Sequence, residues 1–227
     1  PNVTVEIDRA RRVATFTVQA PTDAPPTDID AITAAGAAWD PLALARELDD
    51  AILSLRTNEL AIGTWLLKTR GSAEAVLSLD ASLLAHRGHW LLRETIGYLR
   101  RTLGRLDVSS RSLFALVEPG SCFAGTFLEL MLACDRSYML ALPDDPGRAP
   151  AIVVGEANFG LYPMATGQSR LVRRFYGEAP ALAAVRARAG ERLDAGAAFD
   201  LGLVTSAPDD LDWSDETRIA IEERVAM

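Results

Sequence analysis

The spacing of apolar residues along the chain changes several times, and each change predicts an element. Two β-branched stretches, residues 3–7 and 13–18, are joined by Asp8-Arg9-Ala10-Arg11 and read as an opening hairpin. Residues 20–40 carry Pro21, Pro25 and Pro26 with no regular period, so this stretch reads as a loop. Asp40-Pro41 then supplies an N-cap and a first-turn proline, and Leu44, Leu48, Ile52 and Leu55 mark the buried face of a helix. Residues 62–69, with Trp65 and Leu66, form a short apolar run that predicts a buried strand.

Between residues 82 and 106 the apolar positions Leu92, Ile96, Leu99, Leu103 and Leu106 recur every three or four residues, which predicts one long amphipathic helix. Residues 113–117 read as another buried strand, ended by Glu118-Pro119-Gly120. Residues 124–134 are apolar on every side, the pattern of a helix buried all round, and Glu129 is the only charge in it. Residues 137–142 and 151–154 read as strands, and Glu156 follows the second directly. Thr166 caps a predicted helix ending near Gly177, an alanine-rich helix starts at Glu178, and a last helix runs over 215–227 without a C-cap. Strands alternating with helices predict a layered α/β fold. The length fits one domain, and the start on Pro1 and the uncapped end suggest a part of something longer.

Composition narrows the function. The net charge of −8 argues against a general nucleic-acid or anionic-membrane surface, because the summed field repels polyanions. Two cysteines, Cys122 and Cys134, are too few for a disulfide framework and fit a reducing, cytoplasmic setting. No run of about 18 apolar residues could span a bilayer, and the N-terminus has no signal-peptide core. His86 and His89 have no cysteine or carboxylate at ligand spacing, so no metal site is expected.

Two carboxylates stand out. A charged group inside a buried helix is costly unless paired or neutral. Glu129 is therefore either a structural glutamate bonded to a buried arginine or backbone groups, or an acid–base group with a pKa raised by burial. Glu156 sits between Gly155 and Ala157 after a buried strand, where α/β proteins place functional groups, although a solvated loop glutamate fits as well. Gly120, Gly125 and the helix that begins there put free backbone N–H groups at one spot, suited to an oxyanion. Cys122 either lines such a pocket or is a buried inert thiol. No G-x-S-x-G, Walker or G-x-G-x-x-G pattern occurs.

Residues 113–135, LFALVEPGSCFAGTFLELMLACD, resemble the central segment of the crotonase (enoyl-CoA hydratase/isomerase) superfamily. Residues 66–80, LLKTRGSAEAVLSLD, resemble the preceding family segment, where a strand leads through a loop to a small residue and an aspartate, and residues 195–210, AGAAFDLGLVTSAPDD, resemble a later one. The resemblance implies a spiral of ββα units with surrounding helices, acting on an acyl-coenzyme A thioester. It makes Glu129 and Glu156 the acid–base pair, and the backbone N–H groups of Leu79 and Thr126 the oxyanion hole. Leu79, Thr126 and Phe127 depart from the alanine and glycines usual there, which implies a differently shaped pocket.

Three stretches, EPGSCFAGTFLELMLACDRSYMLALPDD, ANFGLYPMATGQSRLVRRFYGE and RETIGYLRRTLGRLDVSSR, are most similar to a ring-opening branch of that superfamily with chains about twice this length. That branch implies a C–C lyase in aerobic benzoate degradation. Water is added to 2,3-epoxybenzoyl-CoA and formate is released, leaving 3,4-dehydroadipyl-CoA semialdehyde. No cofactor is implied beyond the coenzyme A of the substrate, and the expected assembly is a homo-oligomer, dimer or trimer. An ordinary hydratase or isomerase and a catalytically silent scaffold domain stay open as alternatives.

Overall fold

The computed structural model describes residues 1–225. Its first half is β1 (Val3–Asp8), β2 (Val13–Gln19), α1 (Ile29–Ala35), α2 (Asp40–Asn58), β3 (Thr64–Arg70), α3 (Ala73–Ala85), α4 (Trp90–Asp107), β4 (Ser112–Val117), α5 (Gly125–Leu132) and β5 (Arg136–Met139). The strands form one sheet in the order β1-β2-β3-β4-β5, antiparallel at the first pair and parallel from β2 onward. The remainder is β6 (Ile152–Val153), a 3-10 turn (Glu156–Phe159), α6 (Arg170–Arg174), α7 (Ala179–Ala187), β7 (Arg192–Leu193), α8 (Ala195–Asp200) and α9 (Trp213–Val225). β7 pairs antiparallel with β6.

Side chains alternate across a strand, so the sheet sorts its residues into two layers. Phe16, Trp65, Leu67, Ala115, Val117 and Met139 face the main core, which also takes the apolar stripes of α2 and α4 and nearly all of α5. Val13, Leu66, Phe114, Leu116 and Tyr138 face the other way, against Ala220 and Ile221 of α9. Both faces of the sheet are covered. β3 and β4 are consequently buried along most of their length, with residues 65–67 and 113–117 as their apolar stretches, as expected of parallel strands covered on both faces.

Some elements differ from the sequence expectation. The loop predicted over 20–40 contains α1, capped by the Asp28 side chain on Ala31 N–H at 2.9 Å, and a 3-10 turn over Gly36–Ala38. Trp39, rather than Asp40, is the N-cap of α2. The helix predicted over 82–106 is two helices. α3 ends at a His86 cap whose ring nitrogen meets Thr27 O at 3.0 Å, and α4 restarts after Arg87-Gly88. Its leucine stripe survives in α4 alone. The helix predicted from Thr166 begins after Ser169, whose hydroxyl accepts from Val172 N–H at 3.2 Å. Residues 226 and 227, inside the last predicted helix, lie outside the described residues.

Candidate active site

The C-terminal ends of β3 and β4 are tied together, and the ties place the start of α5. Lys68 Nζ reaches Glu118 at 3.0 Å and Arg70 donates to Pro119 O at 2.9 Å, both from one face of β3. From the opposite face, Thr69 Oγ1 accepts from Cys122 N–H at 2.8 Å. Gly71 N–H donates to Gly120 O at 3.3 Å. The chain then turns through Gly125, with φ of +44°, into α5, at the sheet end where α/β folds keep their sites.

Gly125, Thr126 and Glu129 lie on one side of α5, since residues three and four apart are helix neighbours. Glu129 is 1% exposed and both its oxygens are engaged. Asn158 Nδ2 donates to Oε1 at 2.7 Å, and Arg170 donates to Oε2 at 2.7 Å. The same amide also donates to Gly125 O at 2.8 Å, and Asn158 Oδ1 accepts from Gly155 N–H at 2.9 Å. Arg170, itself 3% exposed, makes a two-pronged contact with Asp107 at 2.9 and 2.6 Å. Burial pushes the Glu129 carboxyl above its ordinary value, while Arg170 and Asn158 pull it back part of the way. Glu129 is thus a buried carboxyl raised by burial and also the partner of a buried arginine, as the structural reading expects.

A second buried carboxyl stands beside the first turn. Asp80 Oδ2 accepts from Thr126 N–H at 2.8 Å, its Oδ1 pairs with the Thr126 hydroxyl, and that hydroxyl meets Tyr162 OH at 2.9 Å. Desolvation pushes the Asp80 carboxyl up to about 7; the bonds from Thr126 oppose this and the charge of Glu129 adds to it. A void of about 10 Å³ adjoins it, walled by Pro41, Leu44, Leu79, Leu83, Leu99 and Phe127 among others.

The structure revises several sequence-derived placements. Leu79 and Thr126 line the same void, but their N–H groups do not form an open oxyanion hole. Leu79 is the seventh residue of α3, a helix where a loop was expected, so its N–H belongs to the helical ladder. Ser72 caps that helix, accepting from Ala75 N–H at 3.2 Å, and Ala73, Val76, Leu79 and Leu83 bury one face. Thr126 N–H is already taken by Asp80. Glu156 is exposed, and among the described residues its carboxylate has no hydrogen-bond or ion-pair partner. Its segment nonetheless abuts α5, since a Cβ on Gly155 would lie 3.3 Å from Gly125 Cα. The Glu129 and Glu156 segments are therefore adjacent, joined through Asn158, with one carboxyl sealed and the other in solvent. Cys122 is fully buried and its thiol is pushed up to about 11 by burial, which makes it a protonated core residue. Gly125 has no room for a side chain, because a Cβ would fall 1.8 Å from Asp80 Oδ2.

Sequence reasoning singled out none of Asp80, Asp107, Asn158, Tyr162 or Arg170 as site residues. Asp80 was visible only as the closing aspartate of the 66–80 segment. Arg170 is one of three arginines in SRLVRR, and only the packing of α6 against α5 tells it from its neighbours. Among the described residues no cluster of three or more His, Cys, Asp or Glu is placed to hold a metal ion, and no helix is long and apolar enough to cross a membrane.

The chain has the crotonase fold. It resembles an enoyl-CoA hydratase from Bacillus halodurans with a TM-score of 0.67 at 18% identity, covering 100% of this chain and 81% of that one. It also resembles the human mitochondrial delta3-delta2-enoyl-CoA isomerase with a TM-score of 0.62 at 16% identity, covering 100% and 78%. Its sequence is 54% identical over 226 residues to benzoyl-CoA-dihydrodiol lyase of Aromatoleum evansii, a match over 99% of this chain. The chain spans 40% of that relative's length. No family model matches the chain.

Proposed function

We propose that this chain is the crotonase-like part of a ring-opening lyase acting on 2,3-epoxybenzoyl-CoA, adding water and releasing formate to leave 3,4-dehydroadipyl-CoA semialdehyde. The observation that carries the reading is 54% identity to a benzoyl-CoA-dihydrodiol lyase, sustained over 99% of the chain. The fold of the hydratases and isomerases supports the use of an acyl-CoA thioester.

In this reading the thioester oxygen lies at the start of α5, where a backbone N–H and the helix dipole favour developing negative charge. Glu129 and Glu156 divide the acid–base work on water and substrate. Asn158 and Arg170 fix the orientation of Glu129, and Glu156 works from the solvent side of the same junction. Coenzyme A enters with the substrate, and no further cofactor takes part. The unpaired Cys122 and Cys134 support a cytoplasmic location, and the protein works as a homo-oligomer, dimer or trimer.

The test is incubation of the full-length protein with 2,3-epoxybenzoyl-CoA and an assay for formate. Formate appearing with the semialdehyde thioester is the expected outcome. Efficient turnover of crotonyl-CoA without formate release from the epoxide would instead make the protein a hydratase, as its structural neighbours are named.

A further inference from the structure

The first turn of α5 already has an occupant. Thr126 N–H, the donor at the start of α5 that the family resemblance assigns to the thioester oxygen, points at Asp80 Oδ2 from 2.8 Å, and the Thr126 hydroxyl holds the other oxygen of the same carboxyl. Contact with the helix start is so close that Gly125 could not carry a methyl group. The adjoining void of about 10 Å³ has room for roughly one water. An acyl oxygen and the Asp80 carboxyl cannot share this donor.

Asp80 is also held in a way that permits its release. Arg170, the buried cation of the cluster, spends its donors on Asp107, Glu129 and Tyr162 O, and none on Asp80. The titratable groups facing Asp80 are Glu129 on α5 and Tyr162 on the loop after the 3-10 turn. Its other neighbours are the apolar walls supplied by α2, α3 and α4. Asp80 belongs to α3, which ends just before the glycine turn at Gly88, where an added Cβ would meet open space.

We propose that Asp80 is the resting occupant of the oxyanion position, and that an acyl thioester gains the Thr126 N–H only by displacing it. Asp80 is then a gating and positioning residue of the site. This inference rests on the reading of α5 as the thioester site.

Displacement carries a proton with it. In place, the buried carboxyl has been pushed up to about 7. Released into water it returns to about 4. Between those values the seated form is protonated and the released form is not, so raising the pH favours release and thioester binding by roughly tenfold per unit, with a plateau above about 7.

The experiment measures the dissociation constant of benzoyl-CoA for the full-length protein by calorimetry from about pH 5.5 to 8, together with the infrared carbonyl stretch of the bound thioester. Binding by the native protein is expected to tighten about tenfold per pH unit up to about 7. Asp80→Asn keeps an acceptor for Thr126 N–H but cannot titrate, so its profile retains only the titration of the ligand's own phosphates and the slope assigned to Asp80 disappears. Asp80→Ala removes the occupant and is expected to bind about tenfold or more tightly than the native protein at pH 6. Equal pH slopes in the native and Asp80→Asn proteins would overturn the proposal. So would an Asp80→Ala protein that is folded by circular dichroism and binds no more tightly. If Asp80→Ala does not fold, the slope comparison decides. A carbonyl stretch unshifted from that of free benzoyl-CoA in every protein would instead remove the thioester from α5. A lowered stretch with no dependence on Asp80 would leave the thioester site standing and sink only the gate.

Discussion

Arg170 and Glu129 meet through one N–H···O contact of 2.7 Å, with both side chains 2% exposed. The remaining prongs of the guanidinium are turned to Asp107, so one cation at the start of α6 serves the end of α4 and the middle of α5. Removing the cation leaves two buried carboxyls without a positive partner, Glu129 keeping only the Asn158 amide. Arg170→Met should cost about 3–5 kcal/mol of stability by urea unfolding. Arg170→Lys keeps the charge but cannot hold Asp107 with two prongs while reaching Glu129, so an intermediate loss is expected. Equal stability of Arg170→Met and the native protein would show the triad to be energetically idle.

The two glutamates are predicted to act as one unit in turnover of 2,3-epoxybenzoyl-CoA. Glu129→Gln and Glu156→Gln should each lower kcat by about 10²-fold, and the double variant should be little worse than the worse single one. Steady-state kinetics on folded variants decides this. Near-native turnover of Glu156→Gln would leave Glu129 as the sole acid–base group, and full activity of both single variants would remove the two-carboxylate mechanism.

The fit of Asp80 against Gly125 makes a separate, structural prediction. Gly125→Ala puts a methyl 1.8 Å from Asp80 Oδ2 at a residue with φ of +44°, so it should destabilise by roughly 1–3 kcal/mol from backbone strain alone and by more from the clash. Adding Asp80→Ala should recover the clash component and leave the strain. A double-mutant cycle by thermal or denaturant unfolding measures the coupling, and strictly additive losses would contradict it.

Stability should also depend on pH through Asp80. An aspartate raised from about 4 in the unfolded chain to about 7 in the folded one keeps its proton longer when folded. Its contribution is therefore fully present at low pH and is lost as pH rises from about 4 towards 7, at up to roughly 1.4 kcal/mol per unit. Relative to the native protein, Asp80→Asn should gain stability across that window and hold the gain above it. Parallel unfolding free energies from pH 5 to 8 would contradict the assignment.

Periodicity made most of the architecture legible. The β-branched hairpin, the three- and four-residue steps of α2, the apolar stretches of β3 and β4 and the apolar α5 with its lone charge are all local patterns fixed by which faces are buried. The split between α3 and α4 was hidden because the leucine stripe of α4 reads on its own as a long helix, while the break falls at a short turn over residues 86–89, whose His86 ring also meets Thr27 O, 59 positions away. The same limit applied at the site. Glu129 was conspicuous as a lone charge among apolar residues, but its partners come from the 3-10 turn and α6. Asp80 sits in a helix that the family pattern suggested would be a loop, and that exchange of loop for helix took Leu79 N–H out of reach.

The stitching at the end of β3 has a consequence for assembly of the sheet. Lys68 and Arg70 on one face and Thr69 on the other must all find their partners beyond β4. A slip of one residue in the pairing would turn Thr69 away from the Cys122 N–H and carry the two basic side chains into the main core. Those contacts exist in one register only, and they are also the contacts that set α5 in place. The chain therefore proofreads its own strand alignment at the point where its chemistry is housed, and a misaligned copy cannot present a finished helix start.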